Sequence, residues 1–150
     1  MKVVLQRVSK ASVVINDQEV ASIQHGLLLF VGIVAEDAQE DIDWLVRKIS
    51  SLRIFNDAAH VMNNSLMDSD GEVLVVSQFT LHASTKKGNR PSYIKAAKPA
   101  IAIPIYENFI TTLSLTIGKK VQTGVFGADM KIALLNDGPV TIILDSKDKL

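Results

Sequence analysis

The sequence predicts a single α/β domain, with mixed and largely antiparallel sheet layers and two main helices packed on one face. Three observations predict it. The chain has 150 residues, the length of one domain. Its beginning and its end read as strands rich in β-branched residues. Between them lie two helical patterns separated by further strands, an order that folds as helices laid on a sheet. No repeat, low-complexity tract or linker divides residues 1–150.

Val3 to Ile15 is the first β-branched run, and Asn16-Asp17 supplies turn chemistry before a short strand, Glu19 to Ile23. His25-Gly26 punctuates, and the apolar run Leu27 to Val34 suits a strand buried on both faces. Asp37 with Glu40 three residues on resembles a capping box, and Ile42, Leu45, Val46, Ile49 and Leu52 form one apolar stripe of a helix. Arg53 to Phe55 predicts another strand, Asn56 to Gly71 polar turns, and Glu72 to Leu81 a strongly β-prone strand. A basic loop follows from Ala83 to Pro91. Ser92 is placed to cap a helical stretch reaching about Ile117, with a break near Lys98 and a kink or irregular turn near Pro104, which lacks the N–H a helix needs. Gly118 is a natural stop. Strands return at Lys120 to Thr123, Lys131 to Asn136 and Val140 to Leu144.

Composition narrows the function. Hydrophobic residues make up 47% of the chain, too many for disorder. The longest nearly unbroken apolar run, Leu27 to Ala35, is far short of the ~20 residues of a membrane span, and no signal-peptide pattern opens the chain. The absence of cysteine excludes disulfides, thiolate catalysis and Cys-type zinc sites. These features predict a cytoplasmic protein with no membrane partner. His25, His60 and His82 are not at metal-ligand spacing, and Asp68 to Glu72 lacks the glycine and glutamate of a calcium loop. No metal and no cofactor are expected.

Sixteen basic and sixteen acidic residues cancel, yet unevenly along the chain. From Val73 to Ala128 the only acid is Glu107, against Lys86, Lys87, Arg90, Lys95, Lys98, Lys119 and Lys120. A neutral protein can therefore present one positive face to a polyanion, although the same run also suits a solvated loop.

Two segments bear chemistry. Ser77-Gln78-Phe79-Thr80-Leu81 places hydroxyls and an amide at the end of a hydrophobic strand, where scaffolds usually set reactive groups. Such residues at a strand end are also ordinary surface residues. In a regular strand Thr80 and His82 would share a face, but no third orienting group for a nucleophile pair is visible. Asn136-Asp137-Gly138-Pro139 lies between two apolar strands, and a proline after Asp-Gly removes an N–H where a hairpin ladder should resume.

Taken together, Ser77-Gln78-Phe79-Thr80, Lys87-Gly88-Asn89-Arg90-Pro91-Ser92, Thr123-Gly124-Val125-Phe126-Gly127-Ala128-Asp129-Met130 and Asn136-Asp137-Gly138-Pro139-Val140-Thr141 resemble the D-aminoacyl-tRNA deacylase family. The match is ordered and runs essentially from Val3 to Leu144. The resemblance implies removal of D-amino acids, and of glycine, from mischarged tRNA by cleavage of the ester to the terminal ribose. It also implies a homodimer with active sites at the subunit interface. Ser77, Gln78, Phe79 and Thr80 would line one wall, and a cis Gly138-Pro139 peptide would enter from the other subunit. Phe126 would lie near the adenine and Met130 beside the amino acid. Lys86, Lys87 and Arg90 would hold tRNA phosphates. Thr80 could attack as a nucleophile, or the ribose 2′-hydroxyl could activate a water. The second is favoured, because no base is apparent beside Thr80. A non-catalytic RNA-binding module using the basic 86–98 segment, and a small-molecule esterase, are the alternatives.

Overall fold

In the computed structural model, which describes residues 1–149, the chain runs β1 (Lys2–Ile15), β2 (Gln18–Ile23), β3 (Gly26–Gly32), α1 (Gln39–Ser51), β4 (Phe55–Asn56), β5 (Met62–Asn64), β6 (Glu72–Ser77), α2 (Pro99–Ile117), β7 (Gln122–Thr123) and β8 (Lys131–Asp145). β1 organises the sheet. Its first half pairs antiparallel with β3, its second half with β2, and β8 covers its opposite edge along both halves. β6 and then β7 continue the sheet beyond β3 in parallel, so the sheet is mixed as the sequence predicts. β4 and β5 form a small separate ladder.

The sheet is covered unequally. Both helices lie on one face, where Ile42, Leu45 and Ile49 of α1 and Ala102, Tyr106, Phe109 and Leu113 of α2 meet Val3, Leu5, Leu29 and Val75. The other face holds a smaller cluster that includes Val8, Val13, Leu28, Leu74 and Val76. Val3 and Leu5 point to the first core, whereas Val8, Ala11 and Val13 point to the second. The switch falls where the register of β1 against β8 slips between Gln6 and Val8 and again between Val8 and Lys10. Extra residues at such bulges turn the following side chains to the other face.

Several boundaries differ from the sequence reading. The α1 cap lies one residue later than Asp37–Glu40 implies, for Asp41 accepts the Ala38 N–H at 2.8 Å. Asp37 instead accepts the Val34 N–H at 2.8 Å and pairs with the Met1 ammonium, both groups being fully buried. The strand predicted to reach Leu81 stops at Ser77, and Phe79–His82 form a turn of 3₁₀ helix. Its seat is the end of β3. The Gln78 N–H bonds to the Val31 carbonyl, and a Cβ on Gly32 would come within 3.0 Å of both the Gln78 carbonyl and Leu81 Cβ. Thr80 and His82 therefore do not share a strand face.

Ser92 caps no helix. It pairs with Ser84 through two backbone hydrogen bonds of 2.8 and 2.9 Å that close the basic loop, and α2 begins only at Pro99. Pro104 lies within an unbroken α2, so the predicted irregular turn is absent. The proline leaves one carbonyl unused, that of exposed Ala100, where water can take its place. The two predicted final strands are one strand, β8, which passes through Asp137 to Pro139. The Gly138–Pro139 bond is cis.

Candidate active site

β3, β6 and β7 run parallel and end side by side, with Val31 opposite Ser77 and Val75 opposite Thr123. In parallel sheets the crevice beyond the carboxyl ends of the strands is the usual seat of a ligand. A cavity of about 320 Å³ opens there. Ser77, Gln78 and Phe79 form one wall as the chain leaves β6, and Phe126 and Met130, from the segment between β7 and β8, form the other. Val31 and Ala102 supply apolar surface between them.

Each wall is fixed from behind. Tyr106 of α2 donates to the Val75 carbonyl at 3.2 Å and sets its ring edge-on to Phe126, centroids 5.7 Å apart. Burial pushes the Tyr106 hydroxyl up to about 12, so it remains a donor at physiological pH. Gly124 faces Met130, and a Cβ there would approach the Met130 sulfur to 2.4 Å. Phe79, exposed at the mouth, meets the ring of Tyr93 edge-on at 5.1 Å. Gln78 Nε2 donates to Thr80 Oγ1 at 2.5 Å.

The cavity is poor in charge. Its one ionisable lining residue, Asp129, is exposed and paired with Lys131 at 3.0 Å. No group of three or more His, Asp or Glu among the described residues is placed to hold a metal. The site therefore offers apolar walls, an amide, the Ser77 hydroxyl and backbone N–H groups. That donor set can bind a neutral carbonyl and steady a developing oxyanion without a general base of its own.

Residues 4–145 match the family described as D-Tyr-tRNA(Tyr) deacylase. The chain belongs to that family. Deacylases of this family are hydrolases, and the likeness extends over the full length of close relatives. The D-aminoacyl-tRNA deacylase of Flavobacterium johnsoniae is 65% identical over 149 residues, covering 99% of each chain. That of Bacteroides thetaiotaomicron is 62% identical over the same span. Among solved structures, a c-Myc DNA unwinding element binding protein is 39% identical, with a TM-score of 0.92 over 97% of this chain and 98% of its own. A structure described as a probable eukaryotic D-amino acid tRNA deacylase shares the fold, with a TM-score of 0.82 at 16% identity and 95% and 97% coverage.

Within this deacylase Ser77, Gln78, Phe79, Phe126 and Met130 come together from distant parts of the sequence. Thr80 is bonded to the wall through Gln78 without lining the cavity. Gly138 and Pro139 stand exposed on β8, apart from the cavity of their own chain. Lys86, Lys87 and Arg90 are exposed on the loop closed by Ser84 and Ser92.

Arg7 lies in the opening Val4-Leu5-Gln6-Arg7-Val8 segment of the family resemblance, but that resemblance assigns it no role. It is buried, its Nε donates to the Asp137 carbonyl at 2.9 Å, and its Nη1 donates to the Ile54 carbonyl. It thus braces the backbone just before Gly138, where a Cβ would meet Nη2 at 2.9 Å. The signal was present: Arg7 shares the inward parity of Val3 and Leu5, where a charge needs a partner.

Proposed function

We propose that this deacylase cleaves the ester of D-aminoacyl-tRNA, and of glycyl-tRNA mischarged on tRNA-Ala, with the aminoacyl end held in the cavity between Ser77–Phe79 and Phe126–Met130. The convergence of those two segments on one apolar cavity carries the reading. The names of relatives more than 60% identical over the full chain support the substrate class. An aminoacyl ester is already activated, so a held water and aimed donors suffice. Water attacks the carbonyl carbon, the bond to the ribose oxygen breaks, and that oxygen takes up a proton. The ribose 2′-hydroxyl assists the water; backbone N–H groups near Phe79 and Thr80 receive the oxyanion.

The enzyme acts as a homodimer with its sites at the interface. β8 supports this reading, because it is an edge strand with exposed Leu134, Leu135 and Ile143. Gly138 and Pro139 of one subunit enter the other's cavity and block the direction in which an L side chain leaves Cα. Clash, not attraction, then separates the enantiomers, and glycine passes because it has no side chain. Lys86, Lys87 and Arg90 contact phosphates, which fixes position without reading sequence. The reaction belongs where tRNA is charged, in the cytoplasm.

Hydrolysis of D-aminoacyl-tRNA, its L counterpart and a free D-amino acid ester tests the reading. Fast release from the first alone is expected. Equal release from the free ester would indicate a small-molecule esterase. Binding without release would favour a nucleic-acid module, as the name of the 39% identical DNA-binding relative suggests.

A further inference from the structure

We propose that the protein has a phosphate seat separate from the ester-cleaving cavity, on the other side of the Phe79–His82 turn. The proposal rests on the reading of tRNA as substrate. A second cavity of about 540 Å³ opens there. The turn is the partition: Phe79 lines the first cavity, whereas Leu81 and His82 line the second. A 3₁₀ helix rises about 2 Å per residue, so the two walls are roughly 6 Å apart along the turn. A strand whose last ribose occupies one cavity has phosphates within reach of the other.

Charge singles this cavity out. Lys2, Lys86, Lys95 and Lys147 surround it with Asp145 as the only acid. Lys147 is engaged by Asp41 at 2.7 Å and Lys2 by Asp145 at 3.6 Å. Among the described residues Lys86 and Lys95 pair with no carboxylate. Ammonium groups lining one cavity repel one another, and an anion between them relieves that repulsion. The hydroxyl-bearing residues Ser84 and Thr85 line the same wall.

Two further observations support a built site. The Ser84–Ser92 bridge closes the basic loop at its base, so Lys86 and Lys95 project from two limbs pinned together, while Lys87 and Arg90 lie farther out and do not line the cavity. His82, nine-tenths buried, backs this wall, its ring packed against Gly32 at the end of β3. A phosphodiester matches the set, since its oxygens accept from ammonium and hydroxyl alike.

The test compares Lys95→Gln and the Lys86→Gln/Lys95→Gln pair with the Lys87→Gln/Arg90→Gln pair in the whole enzyme. KM, kcat and salt dependence are read on D-aminoacyl-tRNA and on D-aminoacyl-adenosine, which has no phosphate. The Lys86/Lys95 pair should raise KM for tRNA about tenfold or more and flatten the log–log salt slope by about 1.4. It should change kcat little, and the outer pair should do less on every count. Unchanged KM, or a larger effect from Lys87 and Arg90, overturns the seat. Inorganic phosphate should compete with the tRNA and not with the adenosine ester. Phosphate binding lost in the variants with tRNA KM unmoved would make this a free-phosphate site and overturn the tRNA assignment. Should the wild type release nothing from tRNA, the substrate reading fails by itself. The seat is then decided by ³¹P line broadening of inorganic phosphate, which must vanish in the Lys86/Lys95 pair.

Discussion

Gln78 and Thr80 are joined by a 2.5 Å hydrogen bond from amide Nε2 to hydroxyl Oγ1. An amide is no base in either orientation, so this partner orients Thr80 without activating it as a nucleophile. Thr80→Ala should therefore lower kcat by roughly fivefold to tenfold, the worth of one hydrogen bond. A substrate lacking the 2′-hydroxyl should not turn over. Trapping an acyl-Thr80 by mass spectrometry would establish the covalent route instead.

Gly124→Ala should separate stability from activity. The added Cβ strikes the flexible end of Met130, which can swing away, so thermal unfolding should shift little. The sulfur then moves within the cavity wall. A fall in kcat/KM on the order of tenfold is expected, because small displacements at a reacting centre are costly.

Replacing Arg7 by Met tests the brace beneath Gly138. Two carbonyls lose a charged donor, and destabilisation of about 3 kcal/mol is expected from denaturant unfolding. The surviving folded enzyme should discriminate less between D- and L-aminoacyl-tRNA in a paired hydrolysis assay. An unchanged ratio would detach Arg7 from chiral selection.

Asp41 gives a pH-dependent prediction. Burial alone would raise its pKa, but hydrogen bonds from Lys147, Ser146 and the Ala38 N–H outweigh that and hold it at about 2. A carboxyl with a folded pKa below its unfolded value stabilises the fold above the unfolded pKa, near 4, and loses this as pH falls through the folded one. Asp41→Asn should lower Tm at pH 7, and the gap from wild type should close between about pH 4 and pH 2.

Activity should survive exhaustive dialysis against chelator, because no metal-binding cluster converges among the described residues. Loss of turnover restored by zinc would refute this.

The legible parts of the sequence were those where one local signal dominates. The alternating apolar residues of β1, the apolar run of β3 and the stripe of α1 are set by burial, and burial leaves a period. Glu72 to Leu81 misled because Phe79 and Leu81 continue the β-prone composition, while the turn is imposed by contact with Gly32, far away in sequence. Ser92 has the residue type of a cap, yet its backbone is committed to Ser84. Around the candidate cavity, Ser77 to Phe79, Phe126 and Met130 lie in segments that the sequence offered as motifs. Gly124 and Tyr106 act from behind the wall and Arg7 beneath Gly138, apart from the cavity, and their partners are invisible until the chain is folded.

The unequal covering of the sheet has a dynamic consequence. The cavity at the ends of β3 and β6 spans the boundary between the two clusters: Val31 and Ala102 belong to the helical side, Val76, Met130 and Ile132 to the thinner one. Local opening draws on regions with few apolar contacts, so amide exchange should be fastest through the thin side while α1 and α2 stay protected. Breathing of that layer would admit and release the bulky aminoacyl end with the helical half acting as a fixed anvil.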